Sequence, residues 1–297
     1  MVRRIGEVMA GLAAGAALLA VVPAAAQQQA RASNIALVGY HDLQGRSAYQ
    51  PLVHKQGERW VAYIGHHGDT LPNTLTGRPE HSGTSILDVT DPKQPRLLSH
   101  IPGEQGGGAQ MVRVCNGADL PRGDRSKVYL LRPLGNSAQQ VWDVTEPSRP
   151  SLLTTVVNGL LGTHKNWWEC DSGIAYLVSG VPGWRTHRMT QIYDLGDPAK
   201  PVFIRNFGLP GQQPGAAGPV PTELHGLIST GSRGNRIYLG YGTNRNGVLQ
   251  IVDREKLLKG PKEPTNENLL YPQVGRLDLP PGMGAHTTYP LIGVPLA

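Results

Sequence analysis

From residue 35 to about residue 290 the chain alternates short apolar runs with clusters of Gly, Pro, Asn, Asp and Ser. Runs of that length, rich in Val, Ile and Tyr and bounded by turn formers, predict strands rather than helices. Four of them share one phrase: Ile86-Leu87-Asp88-Val89, Val141-Trp142-Asp143-Val144, Ile192-Tyr193-Asp194-Leu195 and Ile251-Val252-Asp253. The Asp-to-Asp spacings are 55, 51 and 59. Three copies continue into an acidic residue and two prolines: Asp91-Pro92 to Pro95, Glu146-Pro147 to Pro150 and Asp197-Pro198 to Pro201. The fourth continues as Arg254-Glu255-Lys256-Leu257-Leu258, which predicts a helical turn.

Each phrase is preceded by a strand centred on Tyr63, Tyr129, Tyr176 or Tyr238 and followed by another, such as Arg96-Leu97-Leu98 or Val202-Phe203-Ile204. Further upstream, strands begin near Gln50, Gln110, His164, His225 and His286, spaced 60, 54, 61 and 61 residues apart. One repeat therefore holds four strands, first to fourth in chain order. Such a sheet cannot bury both faces alone, so the repeats must stack on one another. The predicted fold class is all-β, a β-propeller of four-stranded blades. A β-sandwich would not repeat itself at this period. Ile35 to Tyr40 reads as a stray fourth strand and Thr287 to Ile292 as a stray first strand. About four complete blades plus two stray strands suggest a ring truncated from six or seven blades.

The phrase of two hydrophobic residues, Asp, Val, any residue, Asp-Pro-x-x-Pro resembles the LVIVD repeat of bacterial β-propeller proteins, over roughly residues 35–290. The resemblance implies the propeller fold and leaves the activity open. Methanethiol oxidase and selenium-binding proteins are a more distant analogy at the level of fold, being propellers with histidine-bound metal.

Composition agrees with many turns: 38 Gly and 25 Pro in 297 residues, with 17% charged residues, exclude a coiled coil or helical bundle. Arg3 and Arg4, the apolar run Met9 to Val22 and the small residues Ala24-Ala25-Ala26 read as a signal peptide. The run is too short to span a membrane. The expected organisation is a signal peptide over 1–26, cleaved near Ala26, a linker over 27–34 and one propeller domain over 35–297. Export places the mature chain in the periplasm or outside the cell, without a transmembrane segment. Loss of two Arg and one Glu with the leader takes the formal charge from +6 to +5. The remaining Lys and Arg are scattered, so a nucleic-acid partner is not expected; a small molecule or a cell-envelope protein is.

Nucleophile elbows, Walker loops, C-x-x-C and H-E-x-x-H are all absent. Cys115 and Cys170 sit near equivalent places in adjacent repeats. A disulfide, two buried thiols and metal ligation are all open, with neighbouring inner strands often about 10 Å apart. The ten histidines are more informative. His164, His225 and His286 stand where first strands begin. His66 and His67 end a second strand, and His81 and His187 each lie five residues before the Ile of the Asp phrase. In a propeller these seven project onto one face, three of them around the channel mouth. Converging imidazoles suit copper, zinc or iron, with Glu223 and Glu80 as added carboxylates and Glu223 as a candidate general base. The leading expectation is a ligand- or partner-binding face. The alternative is a metal-dependent oxidoreductase or hydrolase.

Asp88, Asp143, Asp194 and Asp253 are expected to accept backbone hydrogen bonds at turns, and the four tyrosines to pack between blades. Trp167 and Trp168 should point to opposite faces of one strand. The long loop from Gly208 to Pro221 is a candidate lid.

Overall fold

In the strand Arg59–Gly65, alternation sends Val61 and Tyr63 to one face and Ala62 and Ile64 to the other, and all four are buried. A strand dry on both faces needs a layer on each side, and the rest of the chain supplies them. The computed structural model describes residues 34–293. The leader over 1–26 lies outside the described residues, as does all but the end of the linker.

The first sheet contains β1 (Tyr49–Gln56) and β2 (Arg59–Gly65). A small hairpin of β3 (Thr70–Asn73) and β4 (Arg78–His81) follows, before β5 (Thr84–Asp88) and β6 (Arg96–Ile101) complete the sheet. The second holds β7 (Arg113–Asn116), β8 (Val128–Leu134), β9 (Ala138–Asp143) and β10 (Ser151–Val157). The third holds β11 (Gly162–Trp168), β12 (Ile174–Gly180), β13 (Met189–Asp194) and β14 (Val202–Phe207). The fourth holds β15 (Leu224–Ser229), β16 (Arg236–Tyr241), β17 (Val248–Asp253) and β18 (Gln273–Asp278). Short helices α1 (Gly231–Gly234), α2 (Arg254–Lys259) and α3 (Asn266–Leu270) decorate it. Every sheet is antiparallel and pairs its strands in chain order.

Three apolar cores join consecutive sheets. Val61, Tyr63 and Ile86 meet Val112, Val114 and Leu130 between the first and second. Tyr129, Leu131 and Val141 meet Trp168, Ala175 and Leu177 between the second and third. Tyr176, Val178 and Ile192 meet Leu227, Ile237 and Leu239 between the third and fourth. First strands neighbour one another, with β7 beside β1 and β11 beside both β7 and β15. The all-β expectation holds, and the stack is propeller-like.

The repeated residues take their expected places. Asp88, Asp143 and Asp194 each accept the backbone N–H two residues on, from Thr90, Thr145 and Gly196. Asp253 instead caps α2 by accepting from Lys256 N–H. Tyr63, Tyr129 and Tyr176 are buried between sheets, whereas Tyr238, on the face of the fourth sheet turned from the third, is only partly covered.

Two expectations fail. Residues 35–40 and 287–292 form no strand, because neither finds a neighbouring strand to complete a hydrogen-bond ladder. Of the alternatives left open for the cysteines, the disulfide is the one formed: Cys115 and Cys170 are bonded, with Cα atoms 5.5 Å apart, closer than the usual spacing of inner strands. Cys170 lies just past the end of β11, in the turn into β12.

Candidate functional site

β11 and β15 carry His164 and His225 from adjacent sheets toward each other. Their Nε2 atoms stand 2.8 Å apart and both residues are buried. His225 Nδ1 donates to the His286 carbonyl at 2.6 Å. A carbonyl only accepts, so the Nε2 of neutral His225 carries a bare lone pair. His164 Nε2–H donates into that lone pair, and His164 Nδ1 must then accept. The Gln110 atom 2.6 Å away is Oε1, so this tautomer requires the amide to turn and present its NH₂ group. One polarised chain thus runs from Gln110 through two imidazoles to the His286 carbonyl.

Burial, then the charges of Arg188 and His225, hold the His164 imidazole far below its ordinary pKa. Burial first and Lys165 second lower His225 to about 4. Both rings are therefore neutral at pH 7. The surrounding charge is mainly positive. Lys165 Nζ lies 2.5 Å from Thr287 Oγ1 and 3.4 Å from His286 Nδ1. Arg188 faces Tyr49 and both rings and pairs with Glu223 at 3.7 Å. Tyr49 bridges outward, its ring 4.8 Å from that of His67 and 6.1 Å from that of His164.

The seven predicted histidines do not act as one set. His164 and His225 converge. His286 packs against His225 with its ring tilted by 44°, ring centroids 3.8 Å apart, and its Nδ1 turned to Lys165. His67 joins through Tyr49. His66 is a buried structural residue, bonded to the Ser47 carbonyl and, at 2.8 Å, to the Ser85 hydroxyl. His81 contacts Thr70 across the β3–β4 hairpin, and His187 is exposed in the β12–β13 connection. Glu80 accepts from Asn73 and Thr76 within the same hairpin, which leaves it no part in the cluster. Among the described residues, no three His, Cys, Asp or Glu side chains converge as a metal centre requires. In the other tautomer Gln110 Oε1 accepts from His164 Nδ1–H, and the imidazole pair then offers a cation two Nε2 lone pairs.

The Gly208–Pro221 loop packs down through Gln212, which accepts from Leu209 N–H and donates to the Thr222 carbonyl, and through Arg185, which donates to Gly211 and Gly218 carbonyls. A cavity of about 450 Å³, lined by His100 but by neither His164 nor His225, lies between the outer strand β6 and the Trp142 and Arg149 side chains. Gln110, Tyr49, Lys165 and Arg188 escaped the motif reading. Gln110 had a signal, since it occupies the repeat position of His164, His225 and His286.

No family model matches the chain, and no curated protein does. Among solved structures it is similar in fold to Sqt1 from Chaetomium thermophilum, at 12% identity and a TM-score of 0.50 over 81% of this chain and 51% of that one. A glycoside hydrolase family 43 arabinoxylan arabinofuranohydrolase from Bacillus subtilis matches at 14% identity and a TM-score of 0.40, over 71% and 50%. The chain spans about half the length of these structures. The likeness concerns fold.

Proposed function

We propose that this chain is an exported β-propeller protein of the LVIVD type whose histidine-bearing face binds a small molecule or a cell-envelope protein. The observation that carries the reading is the Gln110–His164–His225–His286 chain. Two buried neutral imidazoles, oriented by a shared hydrogen bond, form a preorganised polar surface that a ligand could engage. The cystine supports export, since such bonds persist in oxidising compartments. Propeller closure is part of the proposal and draws support from the adjacent first strands.

A second reading rests on the two Nε2 atoms aimed at each other: copper, zinc or iron held by His164 and His225, in an oxidoreductase or hydrolase with Glu223 as base. Glu223 is engaged by Arg188, so the first reading is preferred. Native mass spectrometry of the full chain, purified without chelator, decides between them. An organic mass retained by wild type and lost in His164→Ala and His225→Ala supports ligand binding. A stoichiometric metal mass lost in the same variants supports the second reading. Bare protein in every sample, after incubation with copper and zinc, removes both.

A further inference from the structure

Several cationic side chains lie inside the stack, and they are satisfied differently. Arg132 donates to the Ile101 and Pro102 carbonyls and to Gln140. Arg205 donates to the Leu257 carbonyl and lies over the Phe207 ring. Arg132 is accounted for by these partners, while Arg205 keeps its Nη2 buried without one. Lys165 and Arg113 differ from both in that their charges lie near each other.

Lys165 is 2% exposed, on the channel-side strand β11. Its ammonium finds one hydroxyl and one imidazole nitrogen, and among the described residues no carboxylate lies within ion-pair distance. Room for its stem is built in: a Cβ on Gly226 of β15 would stand 2.6 Å from Lys165 Cδ. Arg113, on β7, spans to the same strand and stacks on Trp167, two residues from Lys165, with its guanidinium carbon 4.5 Å from the ring centre. Its Nε is buried without a hydrogen-bond partner, and its remaining contacts are the Val112 carbonyl and the Met111 sulfur. Burial first, then the neighbouring Arg113 charge, lowers the Lys165 pKa to about 8, and burial lowers Arg113 to about 10. Two adjacent cations with no anion are expensive inside a protein. Neutralising one by deprotonation still leaves the other.

We propose that Lys165 and Arg113, with the Thr287 hydroxyl, form a binding site for one small oxyanion, a carboxylate or phosphate group. Trp167 fixes the plane of the Arg113 guanidinium, whose Nε remains free to donate, and Lys165 supplies a second positive charge. The site stands on β7, β11 and the 286–287 segment, so it does not depend on ligand capture by the imidazole pair.

Isothermal titration calorimetry of the full chain with inorganic phosphate and, separately, acetate at low ionic strength tests it. One of the two is expected to bind at one site per chain, and the tighter identifies the group. Lys165→Met and Arg113→Met are each expected to weaken that binding about 10-fold or more. In anion-free buffer, Lys165→Met should melt no lower than wild type, because an unpaired buried charge has gone. Wild type should gain stability from the anion, and the variant should not. The proposal is overturned if neither anion binds beyond the effect of equal sodium chloride, if both variants retain the affinity, or if Lys165→Met melts markedly lower without anion.

Discussion

Arg254 clasps Glu169 across the seam between the third and fourth sheets, with Nη2 2.6 Å and Nε 2.9 Å from the carboxylate oxygens. Tyr176, Ser172 and Ser229 hydroxyls donate to the same carboxylate. Both partners are buried, and removing one leaves the other charge without compensation. Arg254→Ala is expected to cost about 3–5 kcal/mol, read from urea unfolding. A loss below about 1 kcal/mol, the scale of a surface pair, would contradict the buried geometry.

The Cys115–Cys170 bond closes a loop of 55 residues between the second and third sheets. Loss of the link in the double Ser variant should lower stability by about 4 kcal/mol on the chain-entropy account. Reductant should then destabilise wild type and leave the variant unchanged. Equal urea midpoints for the two proteins would refute this.

Gly65 is the point where the first sheet touches the segment that presents Gln110. A Cβ there would stand 1.8 Å from the Ala109 carbonyl oxygen and 2.6 Å from that of Gln110. Both obstacles are backbone, so Gly65→Ala must push that segment away. Destabilisation of about 1–3 kcal/mol is expected, together with a changed His164 imidazole resonance in ¹⁵N spectra. An unmoved resonance would show that Gln110 keeps its place.

Acid should weaken the fold before carboxylates titrate. His66 and His100 flank the Ser85 hydroxyl, at 2.8 and 3.3 Å, and burial lowers each to about 4. Their unfolded values lie near 6.5. Between those limits the unfolded chain binds protons that the native one refuses, so stability is full above about pH 6.5 and falls toward pH 4. Each histidine contributes a slope of up to about 1.4 kcal/mol per pH unit. Urea midpoints at pH 7, 6 and 5 measure it. Midpoints that stay level, or rise on acidification, would reverse the sign.

Much of the fold was legible because one residue type recurred with one job. The Asp at the end of each third strand and the Tyr of each second strand mark their strands; Tyr63, Tyr176 and Tyr238 face the residue two before the Asp, while Tyr129 faces Asp143 itself. The stray strands were misread because propensity alone does not make a strand: Thr287–Ile292 has the right residues and no ladder partner. Less of the site was legible. His164 and His225 announced themselves by repeat phase, but His66 shares their residue type and is spent on Ser47 and Ser85. Lys165 and Arg188 could not be found from spacing, since their role comes from which neighbours the stacked sheets bring near, not from any repeated motif.

The carboxylate at the end of each third strand also has a consequence for engineering. Asp88, Asp143 and Asp194 start tight proline turns, while Asp253, in the same place, starts a helix. The same socket therefore accepts two unrelated plugs without disturbing the ladder behind it. These connections emerge at the end of each sheet opposite to the histidines. Foreign segments grafted there, a tag or a tether to a surface, would leave the histidine-bearing end free.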